Sequence, residues 1–168
     1  MTNYLIEGPW AGQLAIVPRP RGGDWLDDQM RALKDAGFDL VVSLLTRDEL
    51  QELGLNREAD LSRQHGLRFS EFPIHDLGVP DSPKVAQKFI GKLHDALVAG
   101  ENVAIHCRQG IGRSGLIASS LLVMSGIDPA TAFRLVSAAR GLPVPETPEQ
   151  RDWVVELSRE FAEPLAGR

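Results

Sequence analysis

Val103–Gly115 reads VAIHCRQGIGRSG, and the class of fold turns on it. A short apolar run, VAI, passes through His106 into Cys107, the only cysteine in the chain. A loop follows with two glycines, Gly110 and Gly112, and two arginines, Arg108 and Arg113. Ser114 then opens a helix-like segment. The order is buried strand, tight turn, helix. Glycine at positions 110 and 112 lets the turn adopt positive φ and keeps side chains off its concave face. The N–H groups of the turn can then point inward, and the N-terminal dipole of the following helix adds to them. Such a turn is a nest for an oxyanion. Cys107 stands at the strand end facing it, in surroundings that favour thiolate over thiol. Arg113 offers two N–H groups at the spacing of two phosphate oxygens and stays charged. The set fits in-line attack of a thiolate on a phosphomonoester through a cysteinyl-phosphate. The plain alternative is a buried cysteine beside a glycine turn.

Upstream and downstream, short apolar runs alternate with helix-like ones. Leu14–Val17 reads as a strand ending in the loop PRPRGG. Arg19 and Arg21 lie in that loop, read as exposed, with a basic rim over the site as the alternative. Asp24 is the expected N-cap of a helix ending near Gly37, with Trp25, Met30, Leu33 and Ala36 facing the core. FDLVVSLL predicts a buried strand. DELQEL and NREADLSRQH predict two short helices. LRFSEF, Leu67–Phe72, alternates as a strand does, and PIHDLGVPDSP is a loop. Ser82 is the expected cap of a helix over 83–99. Asp128-Pro129 starts another helix, and Glu149–Phe161 forms the last. The alternation predicts an α/β fold with a mainly parallel sheet. Ligands in such sheets bind beyond the carboxyl ends of the strands, which is where the loop after Cys107 falls.

The 168 residues suit a single domain, 1–168, and a 43% apolar, 24% charged composition suits a folded protein. A lone cysteine excludes an internal disulfide framework. MTNYLIEGPW lacks the pattern of a secretory signal, and no apolar run reaches the length of a membrane span. A cytoplasmic location is expected. The net charge of −5 argues against nucleic acid or an anionic membrane as partner.

HCRQGIGRSG resembles the signature of the cysteine-dependent protein tyrosine phosphatase superfamily: His-Cys, five residues, Arg, then Ser or Thr. Pro-x-x-Asp-x-Gly-x-Pro-Asp, Pro73 to Asp81, is similar to the dual-specificity branch, in particular its cyclin-dependent kinase-associated and Cdc14-like group. The resemblance runs from about Leu40 to Phe161. It implies a protein tyrosine phosphatase-like fold with a central sheet flanked by helices. It also implies a metal-independent phosphatase with no cofactor, acting as a monomer on phosphorylated proteins or peptides. By resemblance, Cys107 is the nucleophile and Arg113 the phosphate clamp. Asp76, preferred over Asp81, is the proton donor to the leaving group, and His75 beside it reads as solvent-exposed. Ser114 bonds the sulfur and helps it leave, or simply caps the helix. His106 supports the loop. Arg108, Gln109, Gly110, Ile111 and Gly112 join Arg113 in binding substrate. Glu146 and Gln150 in PETPEQ correspond to residues that orient water. Relatives acting on inositol lipids tend to carry extra lysines in the loop. One arginine and an isoleucine here point to a monophosphate on phosphotyrosine, with phosphoserine or phosphothreonine also admitted. An inositol or phosphoinositide phosphatase and a catalytically weak phosphoprotein-binding module are the competing readings. Rhodanese-type sulfurtransferases have no need of Asp76. Low-molecular-weight phosphatases reverse the order of Cys and Asp. RNA triphosphatases fit the acidic balance poorly.

Overall fold

Val103, Ala104, Ile105 and His106 are all buried, and the strand they form lies at the centre of the molecule. The structure, a computed structural model, describes residues 2–162. The strands are β1 (Tyr4–Ile6), β2 (Leu14–Ile16), β3 (Leu40–Ser43), β4 (Arg68–Glu71) and β5 (Val103–His106). The helices are α1 (Leu26–Asp35), α2 (Arg47–Glu52), α3 (Glu58–Gln64), α4 (Pro83–Val98), α5 (Gly112–Met124), α6 (Pro129–Arg140) and α7 (Pro148–Ala162). A 3₁₀ turn, Gly23–Trp25, precedes α1. The strands form one sheet in the order β1-β2-β5-β3-β4. β2, β5, β3 and β4 are parallel, with Leu40 and Leu14 both opposite Val103. β1 runs antiparallel to β2 at the edge.

The sheet is covered on both sides, as parallel sheets must be. Leu14, Ile16, Leu40, Val42, Val103 and Ile105 share a core with residues of α4, α5, α6 and α7. Their neighbours Ala15, Val17, Val41 and Ala104 share the other with α1 and α3. The two-residue period of a strand makes this division. α5 is buried from Gly112 to Val123, because the sheet lies on one side and helices on the others. α4 begins where expected, with Ser82 Oγ accepting from the Val85 N–H at 3.3 Å. Asp128 caps α6 by accepting from the Thr131 N–H at 3.1 Å, ahead of Pro129. Among the described residues, no helix is long and apolar enough to cross a membrane.

Several local expectations are corrected. Asp24 does not cap α1; it lies inside the 3₁₀ turn. Trp25 and Ala36 are exposed and Leu26 takes the core position. Arg21 lies over the Trp25 ring, 4.5 Å from its centroid, so the ring is covered by a cation instead of the core. The alternation of LRFSEF is incomplete, because β4 is an edge strand with partly exposed residues in its middle. β1 is an element the sequence reading did not include: three residues are too few to show a period. Ser114 lies two positions inside α5, which starts at Gly112, so it is not the cap.

Candidate active site

β5 delivers Cys107 to the carboxyl end of the sheet, and α5 starts five residues later. Between them the chain curls around the sulfur. The Gly110 N–H donates to Cys107 Sγ at 3.2 Å. Gly110 has φ +72, which favours glycine, and a Cβ there would crowd the Ile16 methyl at 3.2 Å. A pocket of about 210 Å³ opens above the sulfur, lined by Asp76, Leu77, Cys107, Gln109, Gly112, Arg113 and Glu146. Arg113 is its one cationic lining residue.

Arg113 is 2% exposed, so its charge must be met from within. Nη1 and Nη2 donate to the two carboxylate oxygens of Glu49 at 2.7 and 3.0 Å. Nη1 also donates to the Ile74 carbonyl at 2.9 Å, and Nη2 to Asp76 at 3.2 Å. Nε makes no hydrogen bond among the described residues. If an anion displaced Asp76, Nε and Nη2 together would offer it a bidentate edge. Glu49 also closes a capping box with Thr46 at the start of α2. Burial pushes its carboxyl up, but hydrogen bonds from Arg113 and the Thr46 N–H, with the Arg113 charge, hold it at about 2. Desolvation works against the Arg113 charge too, yet Glu49 and the nearby Cys107 and Asp76 leave its pKa raised.

Asp76 stands on the loop after β4, with its side chain 60% exposed. Its Oδ1 accepts from the Leu77 N–H at 3.1 Å. Asp81 is exposed and outside the pocket lining, so of the two candidates only Asp76 meets Arg113. Gln150 is fully buried and its amide bonds on both its oxygen and its nitrogen side. Its Oε1 accepts from the N–H groups of Glu146 and Thr147, and its Nε2 donates to the Gly78 carbonyl at 3.1 Å. It therefore ties the start of α7 to the Asp76 loop. Ser114 Oγ is buried with no partner among the described residues.

Arg108 turns away from the pocket and pairs with Glu52 of α2 at 3.1 Å; its side chain does not line the site. Ile111 is half-buried and packs on the core. Arg19 is exposed, outside the pocket lining. His106 is wholly buried and bonded to Glu58 of α3 at 2.5 Å. Glu49 and Glu58 are site-supporting residues that the sequence reading missed. The Thr46-x-x-Glu49 spacing signals a helix start, but nothing local in the sequence links either glutamate to the loop.

Comparison with known proteins places the fold and the family. Many solved structures share the architecture, and two illustrate it. One is kinase associated phosphatase with a serine in place of its catalytic-site cysteine, at TM-score 0.85 and 22% identity, covering 98% of this chain and 97% of that one. The other is the active form of Tk-PTP, at TM-score 0.71 and 25% identity, covering 94% and 96%. These neighbours define the fold as that of protein tyrosine phosphatases. The family described as "Polymorphic toxin system, DSP-PTPase phosphatase" matches residues 17–127, well over half of the chain. The chain belongs to this dual-specificity phosphatase family. Among individual relatives, the 197R protein of Invertebrate iridescent virus 6, a tyrosine phosphatase by name, is 33% identical over 137 residues, 79% of this chain and 49% of its own. Cyclin-dependent kinase inhibitor 3 of Rattus norvegicus is 30% identical over 138 residues, 81% of this chain and 65% of its own. The chain thus spans about half to two thirds of the length of these relatives.

Proposed function

We propose that the protein hydrolyses phosphotyrosine, and also phosphoserine or phosphothreonine, in phosphorylated proteins or peptides, without metal. The observation that carries this is one pocket shared by Cys107 Sγ with an N–H aimed at it, Arg113, and an aspartate within reach of Arg113. Incoming phosphate takes the Nε and Nη2 edge of Arg113 and displaces Asp76 toward the leaving oxygen. The Cys107 thiolate forms an S–P bond as the P–O bond to the leaving group breaks. Asp76 gives that oxygen its proton. Water then attacks phosphorus, Asp76 takes back a proton, and the S–P bond breaks to release phosphate. Ser114 Oγ, buried and without a hydrogen bond among the described residues, turns to the departing sulfur and stabilises it. Backbone N–H groups of 109–112 hold the equatorial oxygens. Glu146, in the pocket lining, orients water. Gln150 shares that role through its second Nε2 N–H, while the first, on the Gly78 carbonyl, positions the Asp76 loop.

The lining supports a monophosphate: Arg113 is its sole cation, and Asp76 and Glu146 would repel a multiply charged headgroup. Full-length protein assayed on p-nitrophenyl phosphate with chelator present should turn over, and Cys107→Ser should abolish the activity. Activity that survives this change, or that needs added metal, would sink the proposal. Side-by-side phosphopeptides and phosphoinositides should show turnover of the peptides. A preference for the lipids would transfer the reading to a phosphoinositide phosphatase.

A further inference from the structure

Arg140, the last residue of α6, reaches the outer side of the Cys107 loop. Its Nε donates to the Gly110 carbonyl at 2.7 Å and its Nη2 to the Gln109 carbonyl at 3.3 Å. On its other face lies the ring of Tyr4 in β1, 4.1 Å from the guanidinium carbon to the ring centroid. The Gln109 carbonyl and the Gly110 N–H belong to one planar trans peptide and point in opposite directions. Holding that oxygen outward aims the N–H inward, and this N–H is the one 3.2 Å from Cys107 Sγ. The Gly110 carbonyl is joined in the same way to the Ile111 N–H. One guanidinium therefore orients two consecutive peptide units of the anion nest from behind, and its charge polarises both. A free arginine side chain has many rotamers. The Tyr4 ring restricts that freedom by covering one face of the guanidinium, at a distance where a cation and a ring attract. Tyr4 and Arg140 both lie outside the residues matched by the family, 17–127.

We propose that Tyr4 and Arg140 form a back clamp on the Cys107 loop, with Tyr4 of the N-terminal strand as a positioning residue for the catalytic cysteine. The inference rests on the phosphatase reading of the pocket, but its first readout does not. In full-length protein, Tyr4→Leu keeps apolar bulk in β1 and removes the ring face. Tyr4→Phe keeps the ring and removes only the hydroxyl. Arg140→Lys keeps charge and removes the planar fork. Alkylation of Cys107 by iodoacetamide at pH 6 reports how well the nest holds the thiolate. Tyr4→Leu and Arg140→Lys should slow it about three- to tenfold, the scale of losing one such contact. Their kcat on p-nitrophenyl phosphate should fall by a similar factor, with the urea midpoint held near wild type. Tyr4→Phe should restore both rates. Alkylation and kcat within twofold of wild type in Tyr4→Leu would overturn the proposal. So would a Tyr4→Phe protein as impaired as Tyr4→Leu. A wild-type protein that hydrolyses nothing would defeat the phosphatase reading alone, since the alkylation series would still decide the clamp.

Discussion

At the scale of single residues, the site depends on a buried charge with more than one partner. Arg113 is held by both carboxylate oxygens of the buried Glu49, while Asp76, 60% exposed, meets it through one oxygen. Removing Glu49's charge leaves the buried guanidinium only the largely exposed Asp76 as a carboxylate partner, and losing one partner of a buried pair costs several kcal/mol. Glu49→Gln should lower stability by about 3 kcal/mol near neutral pH, read from urea midpoints. The pH dependence has a definite sign. The Glu49 carboxyl is held at about 2 in the folded protein against 4.5 ordinarily. Its contribution is fully present above pH 4.5 and is lost as pH falls toward 2. The gap between wild type and Glu49→Gln should therefore close across that window; a gap that stays constant would show that the pairing is not the source. Asp76→Ala should cut turnover of a poor leaving group about 100-fold or more, and Asp81→Ala should leave it within about twofold. The opposite order would reassign the acid.

At the scale of elements, two helix starts meet over the loop. A Cβ on Gly112 at the start of α5 would stand 2.9 Å from Gln150 Nε2 and 3.1 Å from Glu146 Oε2 at the start of α7. Gln150 in turn carries Gly78 and hence the Asp76 loop. Gly112→Ala should push this chain outward and lower kcat about ten- to a hundredfold, since small misplacements of reacting groups are costly. Its thermal midpoint should fall by only a few degrees. An unchanged kcat would show that α7 and the acid loop yield without consequence. α4 tests ordinary capping: Ser82→Ala should cost about 1 kcal/mol in urea unfolding. Most element starts and stops were legible in the sequence because a cap, a proline or a glycine acts within one turn of where it is written. Asp24 misled because the 3₁₀ turn consumes the residues that a capped α-helix would have used. β1 escaped because its pairing with β2, not its own three residues, makes it a strand.

At the scale of the molecule, stability rests on a sheet buried on both faces and on α5, which no face leaves open. Ile117→Ala in α5, fully buried in the larger core, should cost about 2–5 kcal/mol with a single urea transition. A cost below 1 kcal/mol would mean that the core collapses into the space. The sequence alone determined the α/β alternation, the strand-loop-helix unit at Val103–Gly115, and the spacing that sets Cys107 and Arg113 on opposite sides of one turn. These depend on residues within a few positions of each other, so composition and period carry them. Tertiary structure alone decided what surrounds that turn: Glu49 on Arg113, Glu58 on His106, Gln150 on the acid loop, Arg140 and Tyr4 behind the glycines. Those partners come from other helices and strands, 30 to 72 residues away for the hydrogen-bonded pairs. Sheet register and helix docking bring them together, and no local pattern records which distant charge will fill a buried donor's need.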